Sequence, residues 1–170
     1  MLETSILDQV RSIFQQLEAR YTFHITYHPK HEQAGELIEF LNDVASCSDK
    51  LSCRLTIADE PKLEFTLLKE GQETGIKFRA IPNGHEFTSL LLAILNADGK
   101  GKNLPDATIS RRIKALQGPI RLQTYVSLTC TNCPDIVQAL NIMALLNPQL
   151  THEMIDGAIF QEEVNTLKIQ

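Results

Sequence analysis

The sequence predicts a mixed α/β fold made of two units that follow one another along the chain. Three observations support this fold class. Short apolar runs with a period of two, typical of strands, alternate with segments in which apolar residues recur at helical spacing. The order helix, strand, helix, strand occurs twice. In its second occurrence, two cysteines lie at a strand-to-helix junction. We therefore expect mixed sheets flanked by helices, with an incomplete second unit.

The first unit is predicted to span residues 1–97. Ile6, Val10 and Phe14 share one stripe of a first helix, and YTFHITY at 21–27 is a β-rich strand. After a break at 28–30, apolar residues return at helical spacing in a second helix, which a strand follows. Turn residues at 70–75 between two strand-like runs predict a hairpin, and a strongly apolar helix closes the unit. The predicted helices are 2–19, 31–45 and 86–95, and the predicted strands are 51–57, 63–68 and 76–80 as well as 21–27.

The second unit is predicted to span 104–170, after the polar, glycine-containing stretch 97–103. Pro105 can occupy the first turn of a helix that Gly118 and Pro119 end. The alternating run IRLQTYVSL predicts a strand, and apolar residues at helical spacing follow the cysteines. The predicted elements are helices 105–116, 134–146 and 160–167 and strands 120–128 and 150–155.

The cysteine pair has the spacing of a redox motif. Pro134 is tolerated only in the first turn of a helix, so the helix should start near Cys133, with Cys130 at or just before its N-terminus. The unpaired N–H groups and the dipole of a helix start stabilise a thiolate and lower its pKa. We therefore predict Cys130 as the thiol that attacks a target disulfide and Cys133 as the thiol that resolves the mixed disulfide.

A zinc site and inert packing are the alternative explanations of this motif. Zinc needs four ligands, usually including a second closely spaced pair. Cys47 and Cys53 flank a predicted helix-to-strand junction and make a poor second pair, and His152 alone does not complete a site. We predict that Cys47 and Cys53 are buried or idle thiols and that the chain holds no metal.

Composition points to a soluble protein of a reducing compartment, so we predict a cytoplasmic location. The net charge is −5 and the pI about 5.5, which does not indicate a nucleic-acid partner. The longest apolar run, at 90–95, is too short to cross a membrane, and the N-terminus lacks the pattern of a signal peptide. In such a chain, a CxxC motif is more often catalytic than structural.

A CxxC at a strand-to-helix turn resembles the thioredoxin fold, and further blocks are more specific. GHEFTSL at 84–90, CTNCPDIVQALNIMALL at 130–146 with the following Asn147 and Pro148, and IDG at 155–157 resemble the N-terminal domain of the flavoprotein subunit of alkyl hydroperoxide reductase. The resemblance spans the whole chain. It implies two fused thioredoxin-like lobes, of which only the second carries a CxxC; the first has His28 to His31 (HPKH) in that place.

The resemblance also implies a function. In this family the domain takes electrons from a following reductase region that binds FAD and NADH, and it passes them to a two-cysteine peroxiredoxin that reduces hydroperoxides. Cys130 would be the interchange thiol, Cys133 its partner, and Glu86 the carboxylate that helps to move protons. From the residues alone, Glu86 is equally well explained as an acid favoured in the first turn of a helix.

The chain departs from the family pattern in three places. Leu63 stands where members have a proline that opens the hairpin of the first lobe, and Pro61 lies two residues earlier. The hairpin and the cis-proline of the second lobe are absent, as is a glycine-rich dinucleotide fingerprint. We therefore expect a piece of a longer protein, with an unpaired strand edge near 150–155. Such an edge predicts self-association through residues beyond about 148, as in a homodimer.

Two other functions fit the CxxC. One is a free-standing thioredoxin- or glutaredoxin-like disulfide reductase, which does not explain the first lobe without thiols. The other is a zinc-binding or structural adaptor that uses the fold as a protein-binding surface.

Overall fold

A computed structural model describes residues 2–169 and confirms the predicted mixed α/β fold. The helices are α1 (Thr4–Phe14), α2 (Ala34–Ala45), α3 (Phe87–Ala97), α4 (Ala107–Lys114), α5 (Cys133–Leu146) and α6 (Gln161–Leu167). A 3₁₀ turn at Gly84–Glu86 precedes α3. The strands are β1 (Tyr21–Tyr27), β2 (Leu51–Ile57), β3 (Leu63–Lys69), β4 (Gln72–Arg79), β5 (Ile120–Val126) and β6 (Leu150–Asp156).

The strands of both units form one sheet, in the order β2-β1-β3-β4-β6-β5. β1 pairs with β2 and β5 with β6 in parallel, as strand–helix–strand connections require. β3 is antiparallel to both β1 and β4. The two units meet where β4 pairs in parallel with β6, so that Ile76 lies opposite His152. The repeated units thus extend one continuous sheet.

The predicted exposed edge at 150–155 is wrong, because β6 is paired on both sides, with β4 and with β5. All of its residues except Thr151 are buried. Among the described residues, the outer edges of the sheet are β2 and β5 instead. The reason is that the second unit joins the first through β6, which leaves β5 outermost.

The hairpin turn is also shorter than the turn predicted at 70–75. Lys69 lies opposite Gln72, so Glu70 and Gly71 alone form the turn and β4 begins at Gln72. Both turn residues have positive φ, as the favoured two-residue hairpin turns require. The register of β3 with β4 shifts between Thr66 and Leu68.

One hydrophobic core serves both units. The rings of Phe23 and Phe65 meet edge to face at 5.8 Å, and those of Phe65 and Phe78 stack at 5.0 Å. Val137 of α5 and Met154 of β6 belong to the same buried cluster and are fully enclosed. Helix α2 packs on β1 and β2, and α5 packs on β4, β5 and β6. A shared core of this kind favours cooperative folding of the two units.

Helix α6 is held against the sheet by charged and aromatic contacts. Arg79 of β4 donates to both carboxylate oxygens of Glu163, at 3.0 and 2.7 Å, and its guanidinium lies 4.2 Å from the centre of the Phe160 ring. The hydroxyl of Tyr125 also donates to Glu163. The Arg79 hydrogen bond is the main cause that lowers the pKa of Glu163 to about 2. Of the apolar residues at this end of the chain, Phe160 is therefore partly covered, whereas Leu167 and Ile169 are exposed.

A buried carboxylate, Asp98, ties the end of α3 to the segment between α1 and β1. The Asp98 side chain is 2% exposed. It accepts hydrogen bonds of 2.8 to 3.1 Å from the backbone N–H groups of Glu18 and Ala19, the Tyr21 hydroxyl and the Lys100 ammonium. The predicted helix 2–19 is found to end at Phe14, and Glu18 and Ala19 donate to Asp98 rather than to helical carbonyls.

We predict that Asp98 makes stability fall at acid pH. Burial alone would raise the pKa of this carboxyl, but the hydrogen bonds outweigh it and lower the pKa to about 2 from 3.8. Ionised Asp98 therefore contributes about 2 kcal/mol to the stability of the folded state above about pH 4. This contribution is lost as the pH falls from about 4 to 2. Asp98→Asn should lower the free energy of unfolding by about that amount at pH 7 and flatten this pH dependence in urea unfolding.

Asp8→Asn provides the control for this prediction. Asp8 is 66% exposed and pairs with Arg11 on the surface of α1, so its replacement should change stability by less than ~0.5 kcal/mol. An Asp98→Asn variant that behaved like Asp8→Asn would contradict the assigned role of Asp98.

Candidate redox site

The two cysteines of the CxxC motif lie where β5 turns into α5, as predicted. Helix α5 begins at Cys133, with Pro134 in its first turn. The sulfurs of Cys130 and Cys133 form a disulfide, and the Cα atoms are 5.5 Å apart, within the normal range for such bonds. The sequence was sufficient to predict this position because Pro134 is tolerated only in the first turn of a helix.

The backbone around Cys130 directs a helix-start N–H group at its sulfur. The N–H of Cys130 donates to the Ser127 carbonyl at 2.9 Å, which holds the turn before the helix. The N–H of Cys133 points to the Cys130 sulfur at 3.2 Å. Both cysteines are partly exposed, and Cys133 also packs against the hydrophobic core. After reduction, the same N–H group and the helix dipole would stabilise a thiolate at Cys130.

Glu86 is buried at the N-terminus of α3, as the last residue of the 3₁₀ turn. The residue is 0% exposed, and neither carboxylate oxygen has a partner of acceptable geometry among the described residues. Burial raises its pKa, and only the nearby Ser89 hydroxyl and the His85 side chain oppose this rise. A buried carboxyl with a raised pKa takes up a proton more readily than an exposed glutamate, so Glu86 is suited to accept and return a proton.

The turn that carries Glu86 lies against both sides of the CxxC segment. A side chain at Gly84 would come within 3.1 Å of the Leu128 carbonyl oxygen, and its φ of +56° also favours glycine. Leu128 lies two residues before Cys130. On the other side, the 3₁₀ turn contacts α5, and the Gln138 side chain of α5 donates to the Ser89 hydroxyl at 3.4 Å. The fold thus places the turn that carries Glu86 against Leu128, two residues before Cys130, and against α5.

The remaining thiols are not activated. Cys47 is buried, and burial raises its pKa. Cys53 lies in β2, and burial raises its pKa to about 11. Both are free cysteines. Because thiolates are the reactive form, these two residues are poor nucleophiles, in accordance with their predicted idle state.

His152 belongs to a buried hydrogen-bond network. Its Nδ1 lies 2.7 Å from the Asn141 side-chain oxygen, and its Nε2 lies 2.8 Å from the Thr124 hydroxyl. Desolvation lowers its pKa to about 4, so the ring is neutral at physiological pH. Since both ring nitrogens have partners, His152 links β6 to α5 and β5. Across residues 2–169, no three His, Cys, Asp or Glu side chains are grouped to hold a metal ion.

A shallow groove beside the CxxC was not predicted from the sequence. It is lined by residues 126–129, which lead to Cys130, and by residues 156–158, which follow β6. The Gly157 N–H donates to the Val126 carbonyl at 3.0 Å and joins the two segments. Both segments follow the carboxyl ends of neighbouring parallel strands, where ligands of α/β sheets bind. The sequence alone does not show that β5 pairs with β6, so it could not predict this groove.

No helix within residues 2–169 is both long and apolar enough to cross a membrane.

No protein-family model matches the chain. The chain is 37% identical over 169 residues to the alkyl hydroperoxide reductase component AhpF of Pseudomonas aeruginosa, an alignment that covers 99% of this chain and 32% of that relative. It therefore spans about a third of the length of the curated relatives it matches.

Solved structures agree with this relationship. The NTD_N/C domain of the alkyl hydroperoxide reductase AhpF from Enterococcus faecalis superimposes with a TM-score of 0.89 at 32% identity, covering 100% of this chain and 87% of that one. A protein disulfide oxidoreductase from Aeropyrum pernix shares the fold, with a TM-score of 0.85 at 16% identity over 97% of this chain and 79% of that one. The chain belongs to the AhpF family of alkyl hydroperoxide reductases and corresponds to the N-terminal domain of AhpF.

Proposed function

We propose that this domain transfers electrons by thiol–disulfide exchange through Cys130 and Cys133. The observation that carries the proposal is the Cys130–Cys133 disulfide at the start of α5, with the Cys133 N–H directed at the Cys130 sulfur. We expect the helix-start N–H group to stabilise a thiolate at Cys130 after reduction, with a second thiol within reach of the first. Membership of the AhpF family supports the same chemistry.

The exchange occurs in two balanced steps. In the first, the Cys130 thiolate attacks one sulfur of the target disulfide, which forms a mixed disulfide and releases one target thiolate. In the second, the Cys133 thiolate attacks the Cys130 sulfur, restores the Cys130–Cys133 disulfide and releases the second target thiolate. Both target thiolates take up protons. The target is thereby reduced by two electrons, and the domain is oxidised by two.

Glu86 is proposed to move the proton that the second step requires. Cys133 must lose its proton before it can attack, and a buried acid whose turn contacts α5 could take that proton and later return it. The burial of this carboxyl and its raised pKa support the role, as does the contact of its turn with α5.

The electron donor and acceptor are proposed from the family relationship. The relatives are roughly three times as long as this chain. We propose that the donor is a reductase region of the full-length protein that binds FAD and NADH, and that the acceptor is a two-cysteine peroxiredoxin. We assign no residue of this chain to FAD or NADH.

The test is the oxidation of the reduced domain by an oxidised two-cysteine peroxiredoxin. We expect rapid loss of two thiols per domain, a matching gain of two thiols on the peroxiredoxin, and a much slower reaction with insulin. Equal rates with both targets would instead support a general, thioredoxin-like disulfide reductase. No reaction with either target, together with bound zinc, would support the adaptor.

Glu86→Gln should slow this exchange by about tenfold, because the amide cannot accept the Cys133 proton. It should not lower stability at pH 7, because the uncharged isostere avoids the cost of burying a carboxylate. Stopped-flow rates and urea unfolding measure the two effects. Glu36→Gln, which changes an exposed acid in the first turn of α2, is the control. An unchanged rate would leave Glu86 with only a structural role.

A further inference from the structure

We propose that His152 positions Cys130 and Cys133 for disulfide formation by joining the two elements that carry them, β5 and α5. His152 lies in β6 and acts through Asn141 and Thr124 rather than on either sulfur, so it is a positioning residue. The inference rests on the proposed exchange function, because it concerns the disulfide that this function uses.

The two cysteines are attached to different elements of the fold. Cys133 is the first residue of α5, whereas Cys130 lies in the turn that follows the end of β5 at Val126. Their Cα atoms are 5.5 Å apart, and a disulfide requires a separation of about 4.4–6.8 Å together with suitable directions of the Cβ atoms. The position of α5 relative to β5 therefore affects how readily the disulfide forms.

The side chain of His152 is hydrogen-bonded to both of these elements. His152 is 0% exposed and Asn141 of α5 is 2% exposed. The Asn141 side-chain oxygen, 2.7 Å from Nδ1, can only accept a hydrogen bond, so Nδ1 carries the ring proton. Nε2 of the neutral ring then accepts from the Thr124 hydroxyl of β5 at 2.8 Å. One buried ring thus connects the helix of Cys133 with the strand that leads to Cys130.

These hydrogen bonds specify one position of α5 on an otherwise apolar surface. Val137 and Asn141 follow Cys133 at intervals of four residues, so the three share one face of the helix. The buried residues around the network include Val126 and Met154. Apolar contacts are not directional, whereas a hydrogen bond requires a narrow range of distance and angle. A shift of the helix would leave buried polar groups unpaired, which is costly.

The disulfide form depends on this position more than the dithiol form does, because only the disulfide fixes the distance between the two sulfurs. Thr124→Val keeps the shape of the side chain but removes the donor to Nε2, and Asn141→Leu removes the acceptor for Nδ1. The experiment equilibrates each domain with reduced and oxidised dithiothreitol and measures the fraction of Cys130–Cys133 disulfide. Each variant should shift the equilibrium constant towards the dithiol by about three- to tenfold.

Two controls separate positioning from a general loss of stability. Thr124→Ser keeps the hydroxyl and should restore an equilibrium constant close to that of the unmodified chain. Tyr21→Phe removes the buried hydrogen bond to Asp98 in the first unit, and it should lower stability without changing the equilibrium constant. Urea unfolding gives a second measurement, in which Thr124→Val should destabilise the oxidised domain more than the reduced one.

An equilibrium constant unchanged in both Thr124→Val and Asn141→Leu would overturn the proposal. An equal loss of stability in the oxidised and reduced forms would do so too, as would a shift of the same size in Tyr21→Phe. The dithiothreitol equilibrium involves no peroxiredoxin. A domain that shows the expected shifts but does not react with the peroxiredoxin would therefore contradict the proposed function and support the positioning role of His152.

Discussion

Cys130→Ser should abolish disulfide exchange, whereas Cys133→Ser should arrest the reaction at the mixed disulfide. The difference follows from the position of the two sulfurs. The Cys130 sulfur faces the helix-start N–H of Cys133, while Cys133 itself packs against the core. Without Cys130 no attacking thiolate is formed, and we expect the rate of peroxiredoxin reduction to fall by at least ~10³-fold. Without Cys133 the first step remains, but the covalent intermediate cannot be resolved.

Mass spectrometry of the quenched reaction distinguishes these outcomes. The Cys133→Ser domain should carry one covalently attached target, and the Cys130→Ser domain none. Alkylation of Cys130 in the Cys133→Ser variant should show a thiol pKa below the ordinary value of about 8.5. A mixed disulfide formed through Cys133 would reverse the roles assigned to the two thiols. Ordinary thiol pKa values for both cysteines would contradict the assignment.

Gly75→Ala should cost about 3 kcal/mol of folding free energy and should act mainly at the junction of the two units. Gly75 of β4 has φ +85°, a conformation that costs other residues roughly 1–2 kcal/mol. A Cβ atom there would lie 2.9 Å from the Leu150 carbonyl oxygen and 3.4 Å from Ala144 Cβ. It would therefore push β6 and α5 away from β4, at a further cost of about 1–3 kcal/mol.

Urea unfolding and hydrogen exchange measure the size and place of this effect. The amides of β5 and β6 should lose more protection than those of β1 and β2. Gly35→Ala is the matched control, because Gly35 lies in α2 with no atom within 4 Å of the added methyl group. It should raise stability by up to about 1 kcal/mol through helix propensity. Similar free-energy changes in the two variants would contradict the close packing at Gly75.

The features that the sequence predicted well depend on neighbours along the chain. β1 and β2 have the predicted bounds, and α5 begins at the predicted residue because Pro134 can stand only in a first turn. The strand-to-helix position of Cys130 follows from the same local signals. Family resemblance added Glu86, whose residue type and position alone would fit an ordinary helix-start acid equally well.

Features that depend on distant segments were missed. A strand with a period of two does not reveal which strands flank it, so β6 was expected at an edge although it lies between β4 and β5. The contacts of the turn that carries Glu86 with Leu128 and with α5 also join segments that are distant in sequence. The N–H groups of Glu18 and Ala19, which were predicted to be helical, likewise donate to Asp98, about eighty residues away in sequence. Tertiary contacts override local pattern in each of these cases.

The most direct test of the redox assignment is a thiol count in denaturant before and after mild reduction, followed by reoxidation. The air-oxidised chain should show two thiols, assigned to Cys47 and Cys53, and four after reduction. Peptide mapping should place the two new thiols at Cys130 and Cys133, and oxidised peroxiredoxin should remove only these two. Four thiols before reduction, or reduced Cys130 and Cys133 that the peroxiredoxin leaves unchanged, would contradict the assignment.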